Sequence, residues 1–400
     1  MSLGISYMGT KRHLVPDLAR VIADCKPGIF LDVFSGMCSV GHAVASSRQV
    51  WSNDLQSFSQ LVAQVHFCSA FEPLSRFDAL AAIAPVKRQK ADELSANYAE
   101  NLKNEHAALQ AGCVDNLSKT FDVSSLRSQG LGSKAEQGSY NLFCERYAGT
   151  YFGYGQAIEI DSIRYAIDTL LAREEIAVEQ WRAMVVAMCI AMSKCSNSTG
   201  HFAQPLYPKT GNIKKVVSQR KRTFSSEWLD ALEKIQPVGN EKWRSQNLAF
   251  RKDATSVLSS LREFDNRPSV VYADPPYTKD QYSRYYHIYE TAVLYDYPSC
   301  SGAGLYRPDR ATSTFSLSSK VTEAITDLIK SVSDIESCLV LSYPTNGLLT
   351  NSVDIIPEII KQNFGQFPEV LRLAHRHSTM GSSKGVPAHD VTEVIYRVSI

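Results

Sequence analysis

The spacing of apolar positions changes along the chain, and each change marks an element. Residues 12–24 carry Leu14, Leu18, Val21 and Ile22 at helical spacing, and Pro27-Gly28 stops that helix. Gly28-Ile29-Phe30-Leu31-Asp32-Val33-Phe34 is a short apolar run between turn formers, which predicts a strand buried on both faces, as in a parallel sheet. A loop of small residues and a helix around Val40–Ala45 follow. Gln49-Val50-Trp51-Ser52-Asn53-Asp54 then reads as a second strand with a polar tip. Strand, helix and strand in about 30 residues make one βαβ unit.

From 75 to 245 this alternation is lost. Ala91–Leu109 is polar and helix-favouring, and Leu117–Tyr140 is rich in Ser, Gly and Lys, which predicts a loop. A long helical pattern fills 156–195, with Ile158, Ile160, Ile163, Ile167 and Leu170 followed by a Trp181–Met192 stripe that reads as helix core. Strand patterns return near 247, with Ser269–Ala273 and Cys338–Ser342 as strands and 320–332 as a helix. Glu369–Ala374 and Val391–Val398 predict a terminal strand pair around a loop containing Gly and Ser. The pattern predicts an α/β fold, with a sheet domain from 1–74 and 246–400 and a mostly helical insertion at 75–245.

Composition narrows the class. Hydrophobic residues make up 44% and charged residues 21%, ordinary values for a globular chain with a full core. Lys and Arg total 42 against 41 Asp and Glu, so the +1 charge excludes histone-like coating of a polyanion and leaves only a local basic patch open. No apolar run is long enough to cross a bilayer, and the N-terminus shows no secretory pattern. Nine cysteines without a C-x-x-C pair fit a reducing compartment, and the expected location is cytoplasmic, away from membranes. No metal-ligand cluster is visible, and His375-x-His377 reads as a polar strand face.

The strongest chemical signal is Asp274-Pro275-Pro276-Tyr277, at the C-terminal end of a predicted central strand, where open α/β sheets bind ligands. Two prolines make the turn rigid and expose carbonyl acceptors, the aspartate adds more, and the tyrosine offers a stacking face. That set suits a planar group with an exocyclic amine, such as adenine; the plainer reading is a Pro-Pro turn ending a strand. Asp32-Val33-Phe34-Ser35-Gly36-Met37-Cys38-Ser39-Val40-Gly41 follows the first strand, and its glycines let backbone approach a ligand. Asp54 ends the second strand, positioned either to hold a ribose or to cap the following helix.

Tyr7-Met8-Gly9-Thr10-Lys11-Arg12, the Asp32–Gly41 loop, Asn53-Asp54 and Asp274–Tyr277, in this order, resemble the Dam-like (alpha-group) DNA adenine-N6 methyltransferases. The likeness spans the first sixty or so residues and much of the chain after 247. It implies a Rossmann-like sheet that binds S-adenosylmethionine. Tyr7, Gly9 and Lys11 would pack around the methionine moiety. Asp32, Phe34, Ser35 and Gly36 would line the cofactor, Asp54 would hold its ribose, and Asp253 would contact its adenine. Asp274, Pro275, Pro276 and Tyr277 would form the catalytic turn, with Asp274 touching the cofactor side as well. Cys38 stands where the family has a second glycine, so its backbone must avoid positive φ or carry strain, and Tyr7 stands where tryptophan is frequent.

The implied substrate is adenine N6 in double-stranded DNA, flipped out of the helix, with the insertion as target-recognition region. Cytosine N4, RNA adenine or a catalytically idle binding module are the alternatives. A cognate restriction nuclease or another defence-system partner is compatible with the resemblance. For DNA contact, Pro205–Ser225 holds Lys209, Lys214, Lys215, Arg220, Lys221 and Arg222 and no acid, either a phosphate-binding patch or a solvated loop. Arg284 and Tyr285 lie in an aromatic run that reads equally as nucleotide grip or as core, and Arg307 and Arg310 are further candidates.

Overall fold

A computed structural model of the chain describes residues 13–121, 138–376 and 390–400. Tyr7, Gly9, Lys11 and His377 lie outside the described residues, as does most of the predicted 117–140 loop.

Seven strands form one sheet in the order β3-β2-β1-β4-β5-β7-β6. They are β1 Phe30–Asp32, β2 Val50–Asp54, β3 Ala249–Arg251, β4 Val270–Ala273, β5 Cys338–Pro344, β6 Glu369–Arg376 and β7 Asp390–Val398. The first five run parallel, with Phe30 in register with Val50 on one side and Val270 on the other. β7 is antiparallel to both β5 and β6, which makes the predicted terminal pair the sheet's far edge. Side chains of a strand alternate between faces, so Phe30, Val270 and Tyr272 enter one apolar cluster while Leu31, Val271 and Ala273 enter another. Helices cover both faces, which is why these strands carry continuous apolar runs.

On the first face lie α1 Val15–Ala23, α2 Ser39–Val44 and α3 Ser57–Ala63. The helices between β2 and β3 join them: α4 Arg76–Asn97, α5 Ala99–Ala111, α6 Tyr154–Ala172, α7 Val178–Cys195, α8 Ile213–Arg220 and α9 Phe224–Lys234. Buried residues of four of them, among them Ile83, Ile163, Met188 and Trp228, form one cluster with Leu18 and Phe30. The segment between β2 and β3 therefore shares its core with the sheet. The opposite face carries α10 Ala254–Ser260, α12 Val321–Asp334 and α13 Ser352–Phe364, while α11 Tyr282–Leu294 packs on the first.

Local chemistry explains where elements depart from the apolar pattern. The helix expected at 91–109 begins at Arg76, because Ser75 accepts the Asp78 N–H and caps it, and Tyr98 divides it from α5. The helical stretch at 156–195 breaks after Ala172, where Glu174 takes φ +59°. Residues Met184–Met192 are buried, so the stripe ending α7 is core, as its spacing predicts. β3 has only three residues, none buried, and shows no apolar run; it is a strand because it pairs with β2, Ser52 beside Ala249.

Candidate active site

The loop after β1 is bent by two left-handed residues. Gly36 has φ +46° and Cys38 has φ +59°, so Cys38 occupies the conformation a glycine would take freely. Its N–H donates to the Ser35 carbonyl at 2.6 Å, and its side chain is buried, which holds the strained residue in place. Ser35 N–H donates to Asn53 O, and Gly36 N–H donates to Asp54 Oδ2 at 3.0 Å. Asn53 is buried and joins three strand ends: its Nδ2 donates to Val33 O and Lys252 O, and its Oδ1 accepts Lys252 N–H.

Asp54 does not cap α3, whose N-cap is Gln56. Its other oxygen accepts the Gln56 N–H at 3.0 Å, so the carboxylate ties the glycine loop to the entrance of α3. Burial outweighs those N–H donors and, with the charge of Glu290, raises its pKa to about 6. Asp32 is buried too. Burial drives its carboxyl well above the usual range, against the Phe34 N–H that holds it down, and the charges of Asp274 and Asp54 add to the rise.

β4 delivers the Asp274–Tyr277 turn to the same sheet edge. The Tyr277 carbonyl accepts Leu348 N–H at 2.9 Å, which fastens the turn to the loop after β5, and Tyr343 Oη of β5 accepts Leu349 N–H of that loop at 2.9 Å. The other wall is clamped by Gln281, whose amide donates to Ser313 O and accepts Ser313 N–H. Between them lies an open-mouthed cleft. Asp32, Phe34, Ser35, Gly36, Asp54, Asp274, Pro275, Pro276 and Tyr277 all line it. The pattern along the chain did not mark Tyr272, Gln281 or Ser313 as lining residues; a tyrosine inside the apolar β4 run was the one available signal.

Several expected site residues are engaged by partners within the protein. Asp253 caps α10, accepting Ser256 N–H at 2.9 Å and Thr255 Oγ1 at 2.7 Å; burial alone would raise its carboxyl, but these donors hold it below the usual range. It lines an adjoining cavity that shares Phe34, Leu55 and Ser313 with the cleft. Arg220 is not a phosphate ligand: its side chain is 0% exposed and paired with Glu105 at 2.6 Å. Arg307 is likewise buried, between Asp296 and Asp309. Tyr285 is in the core, its ring edge-on to His201. Arg284 is half-buried and donates to Tyr306 Oη at 2.9 Å, and Arg310 lies over the same ring. Lys209, Lys214, Lys215, Lys221 and Arg222 are exposed, with Arg222 bound to Glu227 and Lys215 donating to Ser198 O.

A mostly parallel sheet with an acidic cleft at its strand ends and Asp-Pro-Pro-Tyr after β4 defines a Rossmann-like methyltransferase. The chain matches the D12 class N6 adenine-specific DNA methyltransferase family over residues 7–129 and 197–343, and it belongs to that family. It is 24% identical over 329 residues to the modification methylase LlaI of Lactococcus lactis subsp. lactis, covering 82% of this chain and 44% of that protein. Identity to the type II methyltransferase M.FokI of Planomicrobium okeanokoites is 25% over 371 residues, or 92% of this chain and 48% of that one. With the modification methylase StsI of Streptococcus sanguinis it is 20% over 362 residues, 89% and 46% respectively. The chain spans less than half the length of each. Among the described residues, no helix is long and apolar enough to cross a membrane.

Proposed function

We propose that this chain moves a methyl group from S-adenosylmethionine to N6 of an adenine flipped out of double-stranded DNA. The observation that carries the reading is one cleft joining the Asp274–Tyr277 turn to Asp32 and Asp54, with no lysine or arginine among its described lining residues. These carboxylates suit a cofactor bearing a sulfonium and an ammonium, and they accept from ribose hydroxyls. Ser35, also on that wall, is buried and brings a hydroxyl to the carboxylates. The residues fit the group. Asp54 would hold the ribose, Asp32 and Ser35 would face the charged portion, and Phe34 and Leu55 would flank the ring where the two cavities meet.

Bound there, the cofactor supplies a methyl carbon activated by positive sulfur. The chain's own part is positioning and electrostatics. The Asp274 carboxylate and the Pro275 carbonyl accept from the N6 amine and turn its lone pair outward; the two prolines keep those acceptors from relaxing. Tyr277 stacks on the extruded base. Methyl transfer would leave the nitrogen with one proton too many, and the Asp274 carboxylate would accept that proton and pass it to water. The exposed lysines at 209, 214, 215 and 221 would bind backbone phosphates, and the 75–245 segment would select the site. The modification-methylase relatives support a restriction-modification setting, with a cognate nuclease as partner.

The test is transfer of isotope label from the cofactor to unmethylated DNA and to total RNA, read by mass spectrometry of nucleosides. Labelled N6-methyladenine from DNA is expected. Label on N4-methylcytosine, on RNA, or on neither pool contradicts the proposal.

A further inference from the structure

A smaller polar cavity opens beside the cleft, sharing Gln56, Ser283 and Ala311 with it. Three buried atoms of its lining residues have no hydrogen-bond partner among the described residues: Ser283 Oγ, His287 Nδ1 and Arg307 Nη1. Ser283 and His287 stand four apart on α11 and so share a face, and Arg307 comes from the loop beyond. Buried polar groups are normally paired, so three around one cavity mark a place where a ligand supplies the partners.

Their chemistry limits what that ligand is. His287 Nε2 lies 3.0 Å from the Phe202 carbonyl and must donate to it, and burial holds the ring neutral, which leaves Nδ1 as a pure acceptor. Arg307 Nη1 is a pure donor, its Nε and Nη2 being taken by Asp309 and Asp296. Ser283 can do either. The charges nearby are largely balanced: two carboxylates hold Arg307, Glu290 lies 3.6 Å from Arg251, and Arg310 donates to the Arg307 carbonyl and lies over the Tyr306 ring. A phosphate carries only acceptors and would oppose the His287 lone pair. A nucleobase edge carries donors and acceptors side by side.

We propose that this cavity receives and reads the edge of a nucleobase neighbouring the target adenine, through Ser283, His287 and Arg307. The inference rests on the DNA-methylation reading above and adds a specificity site to it.

The experiment maps N6-methyladenine by single-molecule sequencing of unmethylated host DNA treated with wild type, Ser283→Ala and His287→Phe. Removing a hydroxyl that has no partner leaves the fold intact, so Ser283→Ala should melt no lower than wild type. Both variants should lose preference at one position beside the methylated adenine by about tenfold, with the other positions unchanged. An unchanged consensus, with only the rate or the KM for the cofactor altered, overturns the inference and assigns the cavity to cofactor or water. Absence of N6-methyladenine with wild type overturns the underlying reading, and this inference with it.

Discussion

Arg220 separates a charge that binds DNA from one that holds the fold. Its Nη1 donates to Glu105 Oε1 at 2.6 Å, Nε to Asn197 Oδ1 at 2.6 Å and Nη2 to the Thr150 carbonyl at 3.3 Å, and its guanidinium carbon sits 4.1 Å from the Phe121 ring centroid. Arg220→Met keeps the volume but leaves the Glu105 carboxylate buried, with the Gly155 N–H as its one remaining donor among the described residues. Removing one partner of a buried ion pair costs about 3–5 kcal/mol. At about 2 °C per kcal/mol for a large domain, Tm falls by roughly 6–10 °C. Changing Glu105→Gln as well removes the stranded charge and should recover much of the loss. Melting curves give the first number; fluorescence anisotropy on duplex DNA across a salt series, below the melting range, gives the second. The salt slope should match wild type. A variant with unchanged Tm and a shallower slope would show that Arg220 reaches phosphate and refute the structural assignment.

Neutralising Lys214, Lys215 and Lys221 to Gln should do the reverse, leaving Tm alone and flattening the salt slope by about 0.9 for each lost phosphate contact. An unchanged slope returns the run to a solvated surface. Because Asp54 is raised to about 6, cofactor affinity measured by calorimetry should strengthen as pH rises from about 5 to about 8, and Asp54→Asn should flatten that dependence. The same shift has the opposite sign for stability: the folded state holds that proton more tightly than the unfolded chain, so ionisation of Asp54 costs stability as pH rises from 3.8 through about 6. Asp253→Ala should cost about 1 kcal/mol in chemical denaturation, whereas Asp253→Ser, which can still cap α10, should keep both stability and cofactor affinity. Loss of affinity in both would make the residue a ligand contact.

The central strands and the cleft were legible because their signals are local. β1 and β4 announce themselves as apolar runs, β2 follows as the next strand of the βαβ unit with its polar tip, and Asp274–Tyr277 and the Asp32–Gly36 loop keep their chemistry within a few residues. Cys38 posed a question that only the backbone answers: it accepts positive φ, with its thiol buried beneath the loop. What stayed hidden depends on distant partners. Lys214 and Arg220 look alike in a basic run, yet only Arg220 meets a carboxylate 115 residues away. β3 exists because β2 is beside it. Arg307 carried a nearer clue, Asp309 two residues on, while Asp296 completes its cage from across a turn.

The most direct test of the central claim compares wild type with Asp274→Ala in single-turnover transfer to adenine, with cofactor and DNA affinities measured on the same preparations. Asp274→Ala should retain its fold and most of its DNA affinity while N6-methyladenine formation disappears. Transfer at the wild-type rate in that variant would contradict the claim that the Asp274–Tyr277 turn carries the chemistry.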